Sequence, residues 1–329
     1  MVERSTPEHM ASRASERNPR TLHDPLQTLS ICGLCHSASV SVYDVQCRPR
    51  DFARGAEERA RAQQVVFPRR GVFAVETRGR ELIADANHVL FFNRDEAYRV
   101  AHPAGCGDDC TVLAFDESLA REAIAEWDPA AAESNQPFRA ARLPCDQGAF
   151  WWQNRLRQAA LEGQLDPLGL EETALQLLRA VLASDYGRQA CASPRHVRAG
   201  TARLHAEQVQ RASLLLATRF GEELSLSAIA RAVHSSPFHL ARVFRAHSGL
   251  SLHQYRHRLR LREALRRLAE GEADLSALAL ELGFSSHSHL SDAFRGAFGL
   301  SPSQVRNLRC ARVSAEMSRI LKAPRRRGA

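Results

Sequence analysis

Apolar residues recur along this chain with two different periods, and the change of period divides it. From Val72 to Phe115 they come in short runs rich in β-branched and aromatic residues: 72–77, 81–84, 89–93, 98–101 and 111–115. Turn-forming residues separate the runs at 78–79, 85–87, 94–96 and 103–109. Short strands at this spacing predict a sandwich or barrel, and a β-barrel is the expected form. Beyond Phe115 the period lengthens to that of amphipathic helices, over 118–127, 147–161 and 170–186. A linker follows at 189–202, and then a region that is helical throughout. The fold class expected is α+β: an N-terminal β-barrel with following helices, then an all-α domain.

The helical region repeats itself. Residues 226–256 read LSAIARAVHSSPFHLARVFRAHSGLSLHQYR and 275–306 read LSALALELGFSSHSHLSDAFRGAFGLSPSQVR. Leu240, Phe244, Arg245, Gly249, Leu250, Ser251, Gln254 and Arg256 return as Leu290, Phe294, Arg295, Gly299, Leu300, Ser301, Gln304 and Arg306. Before the turn the offset is one shorter, pairing Ile229 with Leu278 and Ala230 with Ala279. The extra residue therefore falls in the turn, where an insertion costs least.

Each copy predicts a short helix, a turn and a second helix. The first helix of the leading copy carries its apolar set at Leu226, Ile229, Ala230 and Val233. Gly283 suits the left-handed position that ends a helix. Ser236 and Ser286 are placed to cap the second helices, and Pro237 sits at the favoured first position. Gly249 and Gly299 end those helices, while Ala230 and Ala279 let the paired helices approach closely. Residues 254–268 form one continuous helical pattern, with Leu259, Leu261, Ala264, Leu265 and Leu268 on the apolar side and six arginines on the rest. The reading is thus two helix-turn-helix units joined by a long helix, flanked by helices at 203–220 and 302–308.

Charge sharpens this division. Residues 195–329 hold 23 Lys+Arg against 10 Asp+Glu, whereas residues 1–194 hold 22 against 27. A basic half joined to a mildly acidic one points to a polyanion-binding module attached to something else. No run of about 18 apolar residues is present, and residues 1–29 lack the apolar stretch of a secretory signal. The chain is therefore expected to be cytoplasmic, with no membrane partner and its eight cysteines reduced.

The paired motifs resemble the AraC/XylS family of bacterial transcription regulators. The resemblance is strongest in the second unit: Gly283–Phe284, Phe294–Arg295, and Phe298–Gly299–Leu300–Ser301–Pro302, ending at Arg306. It covers about one hundred residues; the N-terminal half looks like the family's cupin-type domain through its domain order and strand run. The resemblance implies a flexible leader (1–29), a cupin-like effector or dimerisation domain (30–188), the linker (189–202), a DNA-binding domain (203–309) and a basic tail (310–329). It also implies double-stranded promoter DNA as partner, contact with RNA polymerase, activation more often than repression, a small-molecule effector and a homodimer.

Within the second helices, Leu240, Val243 and Phe244 share one face and should be core. The opposite face offers Phe238, Ala241, Arg242 and Arg245. Arg242 is the leading candidate for a base contact, because a guanidinium can bond O6 and N7 of guanine in one plane. Phe238 could pack on a thymine methyl, and Ala241 permits close approach. In the second copy His287, Ser288, Ser291, Asp292 and Arg295 face outward. Asp292 departs from family members with a basic residue there, so this unit should bind more weakly or read other bases. Arg245 and Arg295 are placed for phosphate.

Other signals stay open. Cys32-Gly-Leu-Cys35-His36 has the spacing of covalent haem attachment, which needs export. Cys32 and Cys35 with Cys106 and Cys110 could instead form a thiol- or metal-sensing site. The remaining alternative is a constitutive DNA-binding dimer without effector. His88 and His102 stand alone and are expected to pack or turn. His287 and His289 diverge by about 200° on a helix and make no metal pair. With no nucleophile elbow, phosphate loop or paired carboxylates, no enzyme, cofactor or metal is expected. Phe73, Val75, Phe91, Tyr98 and Val100, with Trp151 and Trp152, would line a barrel interior. A stripe of Leu170, Ala174, Leu177, Leu178, Val181 and Leu182 suits either a dimer helix or packing on the barrel.

Overall fold

The computed structural model describes residues 20–24, 27–49, 54–189 and 199–307. Its strands are β1 (Arg20–Asp24), β2 (Gln27–His36), β3 (Val40–Pro49), β4 (Glu58–Arg59), β5 (Gln63–Arg70), β6 (Val72–Thr77), β7 (Arg80–Asp85), β8 (His88–Phe92), β9 (Ala97–Ala101), β10 (Asp108–Phe115) and β11 (Arg142–Pro144). They pair antiparallel in two sheets, ordered β1-β2-β3-β10-β5-β8-β11 and β4-β9-β6-β7. The chain passes from one sheet to the other at Gly71, between β5 and β6. Its φ of 80° favours glycine, and a Cβ there would fall 2.1 Å from the Gly107 carbonyl oxygen.

Alternation along the strands explains the layers. One face of the large sheet contributes Val45, Val66, Leu90, Cys110 and Val112, which pack with Phe73, Val75, Ala84, Tyr98 and Val100 of the small sheet. The other face carries Val40, Val42, Val65, Phe67, Phe91, Leu113 and Phe115 into a core shared with the helices. These are α1 (Glu117–Ala125), α2 (Pro129–Ala132), α3 (Gln147–Leu161) and α4 (Pro167–Gln189). The result is a sandwich with helices on one side. Among the described residues the strands do not close into the expected barrel. Its closing edges would include β4 and β11, with two and three residues, too short for a sealing ladder.

The structure also sorts the remaining candidate residues. Phe91 points to the helices and stacks near Phe138 (5.1 Å between ring centres), not into the sandwich. Trp151 and Trp152 are likewise part of the helix-side core. The α4 stripe from Leu170 to Leu182 is buried inside the chain, so it packs on the sheet and leaves no dimer face there. Within the expected leader, residues 20–24 and 27–29 are strand; residues 1–19, like the linker residues 190–198, residues 308–309 and the tail 310–329, lie outside the described residues.

The C-terminal region comprises α5 (Ala199–Thr218), α6 (Leu226–Ala232), α7 (Pro237–Ser248), α8 (Leu252–Glu270), α9 (Leu275–Glu281), α10 (His287–Phe298) and α11 (Pro302–Asn307). It is docked on the N-terminal region through buried polar contacts. The Tyr255 hydroxyl donates to Asp85 Oδ2 at 2.5 Å, and Asn87 Nδ2 donates to the Tyr255 carbonyl at 3.3 Å. Arg262, 0% exposed, donates to the carbonyls of Ala86 and Cys145 (2.8 Å for the latter) and to Gln147 Oε1 at 3.0 Å. Its guanidinium also lies over the Phe150 ring at 4.6 Å. One of the six arginines assigned to the outer side of α8 is thus its most buried polar anchor.

Candidate nucleic-acid interface

Both repeats fold as helix, turn and helix, built from the same local devices. Ser225 and Asp274 cap α6 and α9, and Ser236 and Ser286 cap α7 and α10 by accepting from the His239 and His289 amides. Gly249 and Gly299 end the second helices in the left-handed region, with φ of 72° and 75°. Ile229, Ala230 and Val233 pack inward with Leu240, Val243 and Phe244, as do Leu278, Ala279 and Leu282 with Leu290 and Phe294. Leu226 departs from its expected core role and is 40% exposed, because it opens the helix at the surface. The one-residue difference does fall in the turns. In the first the Ser235 amide closes on the Ala230 carbonyl, and in the second the Phe284 amide closes on that of Ala279.

The outward faces carry the expected residues. On α7, Phe238 is 82% exposed, Arg242 and Arg245 are exposed, and Ala241 is half-buried. On α10, His287, Ser288, Asp292 and Arg295 are exposed and Ser291 is half-buried. Among the described residues Phe238 is the most exposed large hydrophobic side chain. Sequence inspection passed over the histidines around it. His239 Nδ1 stands 3.3 Å from Arg242 Nη2, and the His205 ring lies 5.1 Å from that of His239 and 6.0 Å from that of His247. Desolvation, then the neighbouring His239, His247 and Arg242, push the His205 imidazole below its ordinary pKa.

Elsewhere the candidate cysteines are not drawn together. Cys32 and Cys35 sit half-buried on β2, where burial pushes the Cys35 thiol up to about 11, a poor nucleophile. Cys106, in the β9–β10 loop, faces the Val72 carbonyl, and Cys110 is buried on β10. Neither His88 nor His102 is a lone packing residue. His88 Nδ1 lies 3.1 Å from Asp85 Oδ1, and His102 Nε2 lies 2.6 Å from Asp108 Oδ1. Among the described residues no helix is long and apolar enough to cross a membrane.

Comparison with known proteins follows the same boundary. A family model described as a helix-turn-helix domain matches residues 229–308. The HTH-type transcriptional regulator GlxA of Rhizobium meliloti is 36% identical over 89 residues, 27% of this chain and 28% of that protein. The HTH-type transcriptional activator RhaS of Escherichia coli is 35% identical over 99 residues, 29% of this chain and 36% of that protein. The match thus spans about a third of each regulator's length. A solved AraC-type DNA-binding-domain protein from Chromobacterium violaceum is 29% identical, with 34% of this chain and 97% of that one covered and a TM-score of 0.30. By the paired units and the relatives that share them, residues 229–308 of this chain are an AraC-type helix-turn-helix domain.

Proposed function

We propose that the chain is a sequence-specific transcription regulator that reads promoter DNA through α7 and α10, with the N-terminal domain as a cupin-like regulatory module. The observation that carries this reading is the outward face of α7. Phe238 and Arg242 project from a capped helix whose other face is locked in the core. That arrangement presents a planar donor for guanine and an apolar contact for thymine in the major groove. Asp292 on α10 makes the second unit the weaker or more selective reader. The name of RhaS, a transcriptional activator, supports activation; activation in turn calls for RNA polymerase as the second partner. The buried contacts of α8 with residues 85–87 give any effector in the N-terminal domain a route to both units, since α8 joins them.

The test is selection of bound sequences from a random duplex library, followed by gel shift with Arg242→Ala. The substitution should cost about 1–3 kcal/mol on the selected site and relax one base position. Unchanged affinity and unchanged base preference would defeat the assignment.

A further inference from the structure

The open end of the sandwich holds a cluster that the DNA-reading function does not use. Asp108 opens β10 directly opposite Cys47 on β3, so the two side chains share the face that looks between the sheets. His102 reaches them from the β9–β10 loop. Glycine makes that approach feasible, for a Cβ at Gly107 would lie 2.2 Å from the Cys47 carbonyl oxygen. One ligand atom from each of Cys47, His102 and Asp108 falls within 4.8 Å of the others, and all three residues are buried. Among the described residues this is the one such group of His, Cys, Asp and Glu.

We propose that Cys47, His102 and Asp108 form a binding site for a divalent cation of the zinc class. Tetrahedral zinc holds its donors about 2.0–2.3 Å away, hence about 3.3–3.8 Å from one another; the three ligand atoms lie within 4.8 Å, and the 2.6 Å hydrogen bond between His102 and Asp108 opens to admit the ion. The donor set argues against calcium and magnesium, which take oxygen ligands, because it joins a thiolate and an imidazole to a single carboxylate. Charge agrees: thiolate and carboxylate together neutralise a divalent ion, so the loaded site buries no net charge. Binding exchanges the Cys47 thiol proton, released to solvent, for the metal–sulfur bond. The surroundings orient the donors. The Cys110 thiol donates to Asp108 Oδ2 at 3.1 Å, leaving Oδ1 turned toward His102. The Arg48 guanidinium donates to the Cys47 and Asp108 carbonyls, and its charge is met by Asp109 at 2.6 Å. The site rests on coordination chemistry alone and stands apart from the DNA-binding reading.

The experiment is titration of the full chain, stripped by chelator, with Co²⁺ as a spectroscopic probe. The expected result is thiolate-to-cobalt charge-transfer absorption saturating at one ion per chain, displaced by Zn²⁺, and unaffected in Cys32→Ser/Cys35→Ser. It should vanish in Cys47→Ser and weaken at least tenfold in affinity in His102→Gln. X-ray absorption of the zinc-loaded wild-type chain needs no variant and should show one sulfur with nitrogen and oxygen donors. Absence of the charge-transfer band in the wild type, its survival in Cys47→Ser, or a shell with two or more sulfurs would overturn the site.

Discussion

Gly283 and His234 occupy equivalent places after the first helix of each unit, and both have positive φ, 77° and 53°. Only the glycine is also hemmed in. A Cβ there would fall 2.6 Å from the Gly221 carbonyl oxygen and against the Arg260 guanidinium, which itself bonds the Phe220 and Gly283 carbonyls at 2.6 Å each. Gly283→Ala should therefore destabilise the domain by more than about 1 kcal/mol, through strain and overpacking together. His234→Gly, which relieves a left-handed side chain, should change stability by less than about 1 kcal/mol. Urea denaturation of both variants measures the difference; equal effects would show that the close approach at Gly283 is not the constraint. These residues were legible in the sequence because a turn's demands are local. The tilt of Arg260 toward that turn was not, since it spans 23 residues.

At the level of the element, α7 and α10 share caps, length and an inward apolar face, and they differ in what they present. α7 offers Phe238, Arg242 and Arg245, while α10 offers His287, Ser288, Ser291 and Asp292 beside Arg295, the counterpart of Arg245. An exposed carboxylate facing phosphate costs on the order of 0.5–1 kcal/mol. Asp292→Asn should accordingly tighten non-specific duplex binding roughly twofold to fivefold at low salt, and less as salt rises. Fluorescence anisotropy with a random-sequence duplex checks this; weakened binding would mean that Asp292 accepts a donor from the DNA, and unchanged binding that it lies off the DNA. The strands from Val72 to Phe115 were also readable, since alternation is a property of consecutive residues. β1 to β4 and β11 were missed, and β5 was read only from Val66 onward: it carries a proline and two arginines, and β11 is three residues whose pairing with β8 comes from distant chain.

For the molecule as a whole, the contact between residues 85–88 and α8 joins the two regions through buried polar groups. Burial would raise the Asp85 carboxyl, but the His88 ring, the Tyr255 hydroxyl and the Asn87 amide together hold it below its ordinary value. A carboxyl whose folded pKa is depressed adds stability above its unfolded pKa, near 3.9, and loses it as pH falls through the folded value. Tyr255→Phe should cost about 1.5–3 kcal/mol at neutral pH and flatten the loss of stability below about pH 4. Arg262→Met leaves the Ala86 and Cys145 carbonyls unpaired in the interior. It should lower stability by several kcal/mol, and hydrogen exchange should rise first in α8 and at residues 85–88. Thermal denaturation across pH, with exchange mass spectrometry, measures both; wild-type stability in Arg262→Met would show that the two regions are not held together there.

The sequence by itself determined the two helix-turn-helix units, their caps, the one-residue insertion in the turn and the residues on the outward faces. All of these follow from periodicity and chemistry within about thirty consecutive positions. Tertiary structure alone decided that the strands form two sheets and not a barrel, that the α4 stripe is spent inside the chain, and which α8 arginine is buried. It also brought Cys47 and Asp108 face to face under His102. Strand register, helix docking and loop approach set these outcomes, and each depends on segments far apart in the chain, whose pairing no local pattern encodes.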